Sequence, residues 1–535
     1  MGQEIELMRQ LDALGGRTDG LRVVVVGNGM VGHRFCEQLV QRDTDQRLRI
    51  TVFGEERRPA YDRVHLSEFF NGKAADALAI ADTAWYAERG LRLCLGERVE
   101  AIDRTQRQVI TQTGQVEPYD VLVLATGSSP FVPPLPGMDK AGVFVYRTID
   151  DLEAIQHHAK TARRAAVIGG GLLGLEAAKA VLDMGLQAHV VEFSDRLMPR
   201  QVDARGGALL RQAVEALGVG VHVDARSEAV LGDEAVSGLR FADGSVLDVD
   251  MVIVSAGIRP RDELARNAGL AVGGRGGIVV NDALQTSDPC IYAIGENALH
   301  RGMIYGLVAP GYDMAEVLAR RLGGDETACF TGGDLSAKLK LLGVDVASFG
   351  DCFADGTQPA STKVLAFEDA VRGVYQKLVI SDDGKKLLGG ILVGDAEQYM
   401  ALSITAKLGK DIPERPQELL FGKPGEAAGS AADFDDAAPI CSCNNVSKGD
   451  IVNAISDKAL TSLNGVKACT KAGTGCGGCM PFVTQIFNAE LARSGREVNH
   501  TICEHFPYTR QELFWIVKLN RIESFDALLN SHGRG

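Results

Sequence analysis

Three stretches of this chain carry residues whose types and spacing could do chemistry. The first is Gly27-Asn28-Gly29-Met30-Val31-Gly32, a GxGxxG set placed directly after four consecutive valines, Val23 to Val26. Gly27 would allow a tight turn, Gly29 would let backbone approach a pyrophosphate, and Gly32 would let a helix pack on a sheet. The helix start then offers unpaired N–H groups and partial positive charge to phosphates. The second stretch repeats the theme after Ala165–Ile168, with Gly169, Gly171 and Gly174 around Leu172 and Leu173. The third is a thiol quartet: Cys441-Ser-Cys443, then 32 residues, then Cys476-Gly-Gly-Cys479. Four thiolates in two close pairs can ligate one metal centre, and both zinc and an iron–sulfur cluster fit. Gly473, Gly475, Gly477 and Gly478 would let backbone N–H groups close on the sulfurs, and Lys467 and Lys471 would offset their charge. Cys469 reads as a buried neighbour of the quartet.

Each glycine set is followed by an acid. A strand over Arg49–Phe53 runs to Glu55, placed to accept ribose hydroxyls. A strand over Ala188–Val191 runs to Glu192, 18 residues past Gly174. An acid there bonds a free 2′-hydroxyl and repels a 2′-phosphate, so NADH is expected over NADPH. The polar segment Tyr61–Ser67 contains no cysteine, so no redox thiol is expected beside the first dinucleotide. Cys36 and Cys94 read as packing residues, and Cys329 and Cys352 stand alone.

The elements that must position these groups follow from pattern and composition. A length of 535 residues, 45% hydrophobic content and 62 glycines suit three or more domains of α/β type. Further apolar strands over Val121–Leu124, Met251–Ser255 and Cys290–Ile294 end in Ala125-Thr126-Gly127, Gly257 and Gly295-Glu296. Residues 326–422 read as a separate α+β domain with a hairpin turn at Asp382-Asp383-Gly384, and 423–438 as an acidic linker. A formal net charge of -14 argues against nucleic acid and anionic membrane surfaces as partners. No apolar run approaches the ~18 residues of a membrane span, and the polar N-terminus shows no secretory core. Of 11 cysteines, five lie between 441 and 479, which fits metal ligation in a reducing cytoplasm better than a disulfide framework.

Gly27–Gly32, Ala125–Gly127, Gly169–Gly174, Ala256-Gly-Ile-Arg-Pro260 and Tyr292-Ala-Ile-Gly-Glu296, in this order, resemble the two-dinucleotide-fold flavoprotein reductases. The resemblance implies two Rossmann-like folds, with FAD on the first and NADH on the second, inserted one. It implies FAD contacts from the first glycine set, Glu55, Arg63, Val99, Ala125, Thr126, Gly127, Arg147, Gly295 and Glu296. Glu296 stands where many members have Asp. It implies NADH contacts from the second glycine set, Glu192 and Gly257, and a nicotinamide-side role for Glu176. The quartet is similar to the bacterioferritin-associated-ferredoxin type, which implies a 2Fe–2S cluster on Cys441, Cys443, Cys476 and Cys479.

With Ala60–Ser67, Gly306–Met314, Lys338–Val346 and Lys467–Cys479 added, the whole chain resembles the large subunits of assimilatory NADH-dependent nitrite reductases. The expected order is 1–148 and 255–325 for FAD, 149–254 for NADH, then 326–422, the linker, and 439–490 for the cluster. Residues 491–535 read as a degenerate second helical module, since Thr509 follows Cys503 as Ser447 follows Cys441. The family's sirohaem and 4Fe–4S half is expected to lie beyond this chain. A hydride carries two electrons together and a 2Fe–2S cluster takes them singly, so FAD must stand between them. Hydride transfer needs no general acid or base, and no catalytic residue is named. The expected acceptor is a sirohaem half, a small nitrite reductase subunit or a nitrate reductase, and a homodimer is compatible with the middle domain. Alternatives are an electron-transfer subunit of an assimilatory nitrate reductase and a redox-sensing binding module.

Overall fold

The computed structural model describes residues 20–341, 343–354, 361–421, 431, 434–441, 444–474, 478–494, 505–522 and 524–534. Two compact units divide the chain, residues 1–428 and 429–535.

The first unit is built on two five-stranded parallel sheets of the same plan. In the first sheet Ile291–Ala293, Val121–Leu124, Leu21–Val26, Leu48–Gly54 and Arg92–Leu95 lie side by side in that order. Val23 to Val26 are at most 6% exposed, because helices and loops cover both faces of a parallel sheet. The fingerprint helix Met30–Arg42 packs beside the helix Val308–Leu322. Gly311 permits that contact, since a Cβ there would sit 2.6 Å from Val31. The last strand of this sheet arrives only at residue 291, after the chain has completed the second sheet.

The second sheet runs Gly220–His222, Gln187–Val191, Arg164–Ile168, Met251–Val254 and Val143–Val145, again all parallel. Its edge strand Val143–Val145 lies on the near side of the expected boundary at 148, so the chain enters the second sheet earlier than the sequence pattern suggests. The crossover between the sheets is a short antiparallel pair, Ser128–Pro130 with Ile258–Pro260.

The strands Ala337–Leu341, Val344–Gly350, Thr362–Asp369, Val374–Ser381 and Leu387–Val393 form a five-stranded antiparallel sheet, over which the helix Tyr399–Leu408 packs. Ser381 and Lys386 close the hairpin around Gly384, whose φ of +74° suits a turn glycine. This sheet is tied to the second Rossmann-like sheet through Asp203, the N-cap of the helix Ala204–Ala216. Asp203 accepts from Gly206 N at 3.0 Å and from Tyr375 Oη at 2.8 Å, and lies 3.4 Å from the buried Lys377 ammonium.

The second unit is small and helical. A ribbon of Pro439–Cys441 with Val446–Ser447 leads into Lys448–Asp457, Leu463–Thr470 and Met480–Arg493, packed around Ile451, Val466 and Val483. Ser447 opens the first of these helices with a capping box, and Ser462 caps the next. Further on, Thr509 opens Arg510–Asn520 with a capping box and Ser524 caps Phe525–His532, at the same spacing. Among the described residues no helix is long and apolar enough to cross a membrane.

Candidate cofactor sites

The six glycines of the two fingerprints divide the same work in the same way. A Cβ on Gly27, at φ +117°, would lie 2.1 Å from the Ala125 carbonyl oxygen, and one on Gly32 would lie 2.0 Å from the Gly27 carbonyl oxygen. Gly169 and Gly174 repeat this against Ser255 O at 2.2 Å and Gly169 O at 1.9 Å. These four glycines are held by the fold. Gly29 and Gly171 instead meet nothing within 4 Å, and each is the N-cap of a helix with no side-chain cap and no acid in its first turn. Each fingerprint therefore leaves an open pocket of backbone at the positive end of a helix, with room for a phosphate pair.

Around the first opening the ends of distant strands converge. Asn28 Oδ1 accepts from Tyr86 Oη at 2.8 Å, and Tyr86 Oη is 2.9 Å from His33 Nδ1. Glu296 takes Arg147 Nη2 at 2.7 Å and Ser128 Oγ at 2.6 Å, while Gly295 at φ +86° lies over Val31. Arg63 pairs with Glu56 and lies 5.0 Å over the Tyr61 ring, its backbone N–H aimed at Met30 Sδ. Ala125 to Gly127 close the third side, Thr126 Oγ1 donating to Arg261 O at 2.7 Å. Val99 is placed differently: its side chain is in the hydrophobic core, so only its backbone could meet a ligand.

Glu55 is the residue whose surroundings the pattern did not foretell. Its two oxygens are both taken by Arg261, at 2.6 Å each, and this hydrogen-bonded ion pair holds the carboxyl below the usual carboxylate range. Arg261 was missed because it lies 206 positions away and no local signal joins the two. Two buried polar atoms here have no protein partner: Asn28 Nδ2 and Arg147 Nε. Buried donors in native proteins are nearly always satisfied, so this set fits a ligand rich in acceptors, as FAD is.

At the second opening Glu192 is 9% exposed, and its carboxylate receives Gly170 N–H at 2.6 Å and Ser194 N–H at 2.8 Å. It thus ties the fingerprint turn to its own loop, with lone pairs remaining for ribose hydroxyls. Leu172 and Leu173 open the helix beside it, and Gly257, at φ +113°, has clear space around it. Glu176, farther along that helix, is partly buried, and burial pushes its carboxyl up to about 7. A family whose description is pyridine nucleotide-disulphide oxidoreductase matches residues 21–315, more than half of the chain.

The chain belongs to the pyridine nucleotide-disulphide oxidoreductase family.

Membership does not bring a redox disulfide with it, since Tyr61–Ser67 holds no cysteine. A rubredoxin NAD+ reductase C-terminal domain matches residues 336–408, and a BFD-like [2Fe-2S] binding domain matches 439–489. The chain is 50% identical over 517 residues to the nitrite reductase [NAD(P)H] large subunit of Klebsiella oxytoca, across 96% of this chain and 53% of that protein. It is 37% identical to the assimilatory nitrate reductase electron transfer subunit of Bacillus subtilis (strain 168), across 91% of this chain and 62% of that one. The chain therefore spans little more than half the length of these relatives. Among solved structures, the ferredoxin reductase for the CYP199A2 system from Rhodopseudomonas palustris is similar at 26% identity and a TM-score of 0.64, covering 73% of this chain and 97% of that one.

In the second unit Cys441 and Cys479 are buried and in contact. Cys441 is pulled down to about 6, first by its hydrogen bond with Cys479 and also by the backbone N–H groups of Gly473 and Asn444. The Asn444 side-chain amide adds a contact at 3.8 Å. Donors gathered on one sulfur suit a thiolate ligand of a cluster. Cys443 and Cys476, with Gly475, Gly477 and Cys503, lie outside the described residues. Among the described residues no three metal-ligating side chains gather. Cys469 is corrected: it is exposed, 3.6 Å from Lys458 Nζ, because its helix turns Val466 inward and leaves position 469 outside.

Proposed function

We propose that this oxidoreductase passes electrons from NADH through FAD to a 2Fe–2S cluster, as the electron-input part of an assimilatory nitrite-reducing system. The observation that carries the reading is the pair of matched openings at Gly29 and Gly171, each at a helix start at the end of a parallel strand. FAD, when bound, accepts a hydride and returns electrons singly. Arg147, held by Glu296 and Ser128, and the Asn28 amide orient it, while Glu192 receives the NADH ribose and disfavours a 2′-phosphate. Cys441, Cys443, Cys476 and Cys479 hold the cluster, on the support of the BFD-like match and the N–H donors around Cys441.

The rest of the reading follows from the same residues. FAD binds to 1–148 with 255–325, NADH to 149–254, and 491–535 repeats the helix pair of the cluster domain, as its matching caps suggest. The setting is the cytoplasm, consistent with five cysteines kept for ligation. The acceptor is a sirohaem domain or subunit. A second acceptor, a nitrate reductase, is favoured by the likeness to the Bacillus subtilis electron transfer subunit.

Anaerobic NADH titration of the protein loaded with FAD and iron–sulfur tests the path. Flavin absorbance should bleach, and a low-temperature EPR signal of a reduced 2Fe–2S cluster should grow with it. Bleaching without any cluster signal, in a protein containing zinc, would sink the second half of the path.

A further inference from the structure

The two fingerprint openings share one plan and differ in a single corner. Gly27 N–H donates to the Phe53 carbonyl and Gly169 N–H to the Val191 carbonyl, each at 2.8 Å, so both turns sit in the same register on the next strand. The strand residue that comes next is Gly54 in the first and Glu192 in the second. The turn residue beside it is Asn28 in the first and Gly170 in the second. A Cβ on Gly54 would lie 3.0 Å from Asn28 Cβ, and one on Gly170 would lie 3.0 Å from Glu192 Cβ, so each corner has room for one side chain. At the second opening that side chain is a carboxylate from the strand, and at the first it is an amide from the turn. Glu55, one position farther along, has both oxygens on Arg261.

The Asn28 amide is held by a chain of hydrogen bonds with one direction. Asn28 Oδ1 accepts from Tyr86 Oη at 2.8 Å, and Tyr86 Oη lies 2.9 Å from His33 Nδ1. A phenol has one proton, and here it goes to Asn28. The phenol oxygen therefore accepts on its other side, and Nδ1 of His33 carries the hydrogen. Burial pushes the Tyr86 phenol above its ordinary value, so the proton stays on it. Tyr86 is fully buried, and the His33 ring packs 4.6 Å from Trp85 and 5.6 Å from Tyr86. Asp82 caps the short helix Thr83–Glu88 that carries both aromatic residues, accepting from Trp85 N at 2.8 Å. With Oδ1 committed to Tyr86, Asn28 Nδ2 is left as a buried donor with no partner in the protein.

We propose that the Asn28 amide N–H binds an adenosine-ribose hydroxyl oxygen of FAD, at the corner where Glu192 receives the ribose of NADH, and that Tyr86 and His33 are positioning residues that keep the amide from turning over. The inference rests on the reading of the first opening as the flavin site. It moves the ribose contact from Glu55, whose oxygens are taken, to the one unpaired donor at the equivalent corner. The exchange of side chains suits the two nucleotides. NADH is drawn at every turnover from a pool that also holds NADPH, and a carboxylate at its ribose repels the 2′-phosphate. FAD stays bound through many turnovers, and a neutral amide donates to its ribose without adding a negative charge beside the diphosphate. Were the amide to turn over, its N–H would face the Tyr86 proton and its oxygen would take the donor's place, so two hydrogen bonds depend on the direction of the chain.

Fluorescence titration of the full chain, freed of flavin, with FAD and with its 2′,3′-dideoxyadenosine analogue reads the contact directly. Wild type should bind FAD about tenfold more tightly than the analogue. Asn28→Ala should bind the two alike, whereas a general loosening of the site would weaken both and keep their ratio. Tyr86→Phe, which retains the buried ring, should narrow the preference to about threefold. His33→Leu should narrow it as well, and His33→Asn, which keeps an N–H donor near the Nδ1 position, should restore it. Asn28→Asp should lose the preference and bind FAD about 100-fold more weakly, because a carboxylate replaces the donor beside the diphosphate. An Asn28→Asp variant that binds FAD as tightly as wild type would reverse the direction of the chain and overturn the assignment. So would an unchanged preference in Asn28→Ala, or its loss in Glu55→Gln instead. Wild type that takes up neither nucleotide would overturn the flavin reading of this opening itself, and the ribose contact with it.

Discussion

At the scale of single residues, the fingerprint glycines are not equivalent, and the difference is measurable. Gly32→Ala would drive a methyl into the Gly27 carbonyl at 2.0 Å, backbone against backbone, and should cost about 3 kcal/mol of stability. Gly29→Ala meets nothing in the protein and sits at φ -88°, which alanine adopts freely. It should change apoprotein stability by no more than about 1 kcal/mol while weakening FAD, whose phosphates need that space. Melting curves of the apoproteins beside flavin content check both; equal destabilisation would mean that Gly29 is structural. Glu176 supplies a second residue-scale outcome. Its folded carboxyl is raised to about 7, so between the ordinary carboxylate range and pH 7 the folded chain binds more protons than the unfolded one. Stability from this group is present at low pH and is lost as pH rises toward 7. Wild type should therefore lose more melting temperature than Glu176→Gln between pH 5 and 8, and parallel curves would refute the raised value.

At the scale of elements, Asp203 joins two sheets that the chain builds far apart. One carboxylate caps a helix of the second Rossmann-like half and receives both Tyr375 and Lys377 from the antiparallel sheet. Lys377 is 4% exposed, so removing the carboxylate takes a counter-charge from a buried ammonium as well as a cap from a helix. Asp203→Ala should cost about 3 kcal/mol. Asp203→Asn, which can keep the cap and the tyrosine bond, should recover a part of that. Calorimetry decides it: a variant as stable as wild type would show that the seam rests on its apolar contacts alone. Glu55 and Arg261 make a comparable join at the first opening, with both oxygens used, and it ties the crossover to the first sheet.

At the scale of the whole molecule, the division at residues 428 and 429 assigns the two fingerprint openings to one unit and Cys441 with Cys479 to the other. Cys441→Ser removes a sulfur that gathers N–H donors from Gly473 and Asn444 within the second unit. Its cluster EPR signal should vanish while FAD content and NADH-driven bleaching stay close to wild type. Loss of FAD in the same variant would show that the two units do not fold independently.

Much of this architecture was legible in the sequence because its signals are local. Strand, glycine turn and helix follow one another within a dozen residues, so Val23 to Gly32 and Ala165 to Gly174 announce themselves without knowledge of the fold. Helix caps such as Ser447 and Thr509, and the hairpin at Gly384, are local in the same sense. The spacing of the four thiols is local too, though two of them, Cys443 and Cys476, lie outside the described residues. Tertiary structure alone decided which strand ends meet. The pairing of Glu55 with Arg261, of Glu296 with Arg147, and of Asp203 with Tyr375 and Lys377 depends on chain segments brought together by sheet order. The same holds for the exposed side of Cys469, which depends on which face its helix buries, and for Glu176. A glutamate in a helix is an ordinary surface residue until neighbouring segments remove the water around it, and the energy of that desolvation exists only in the assembled fold.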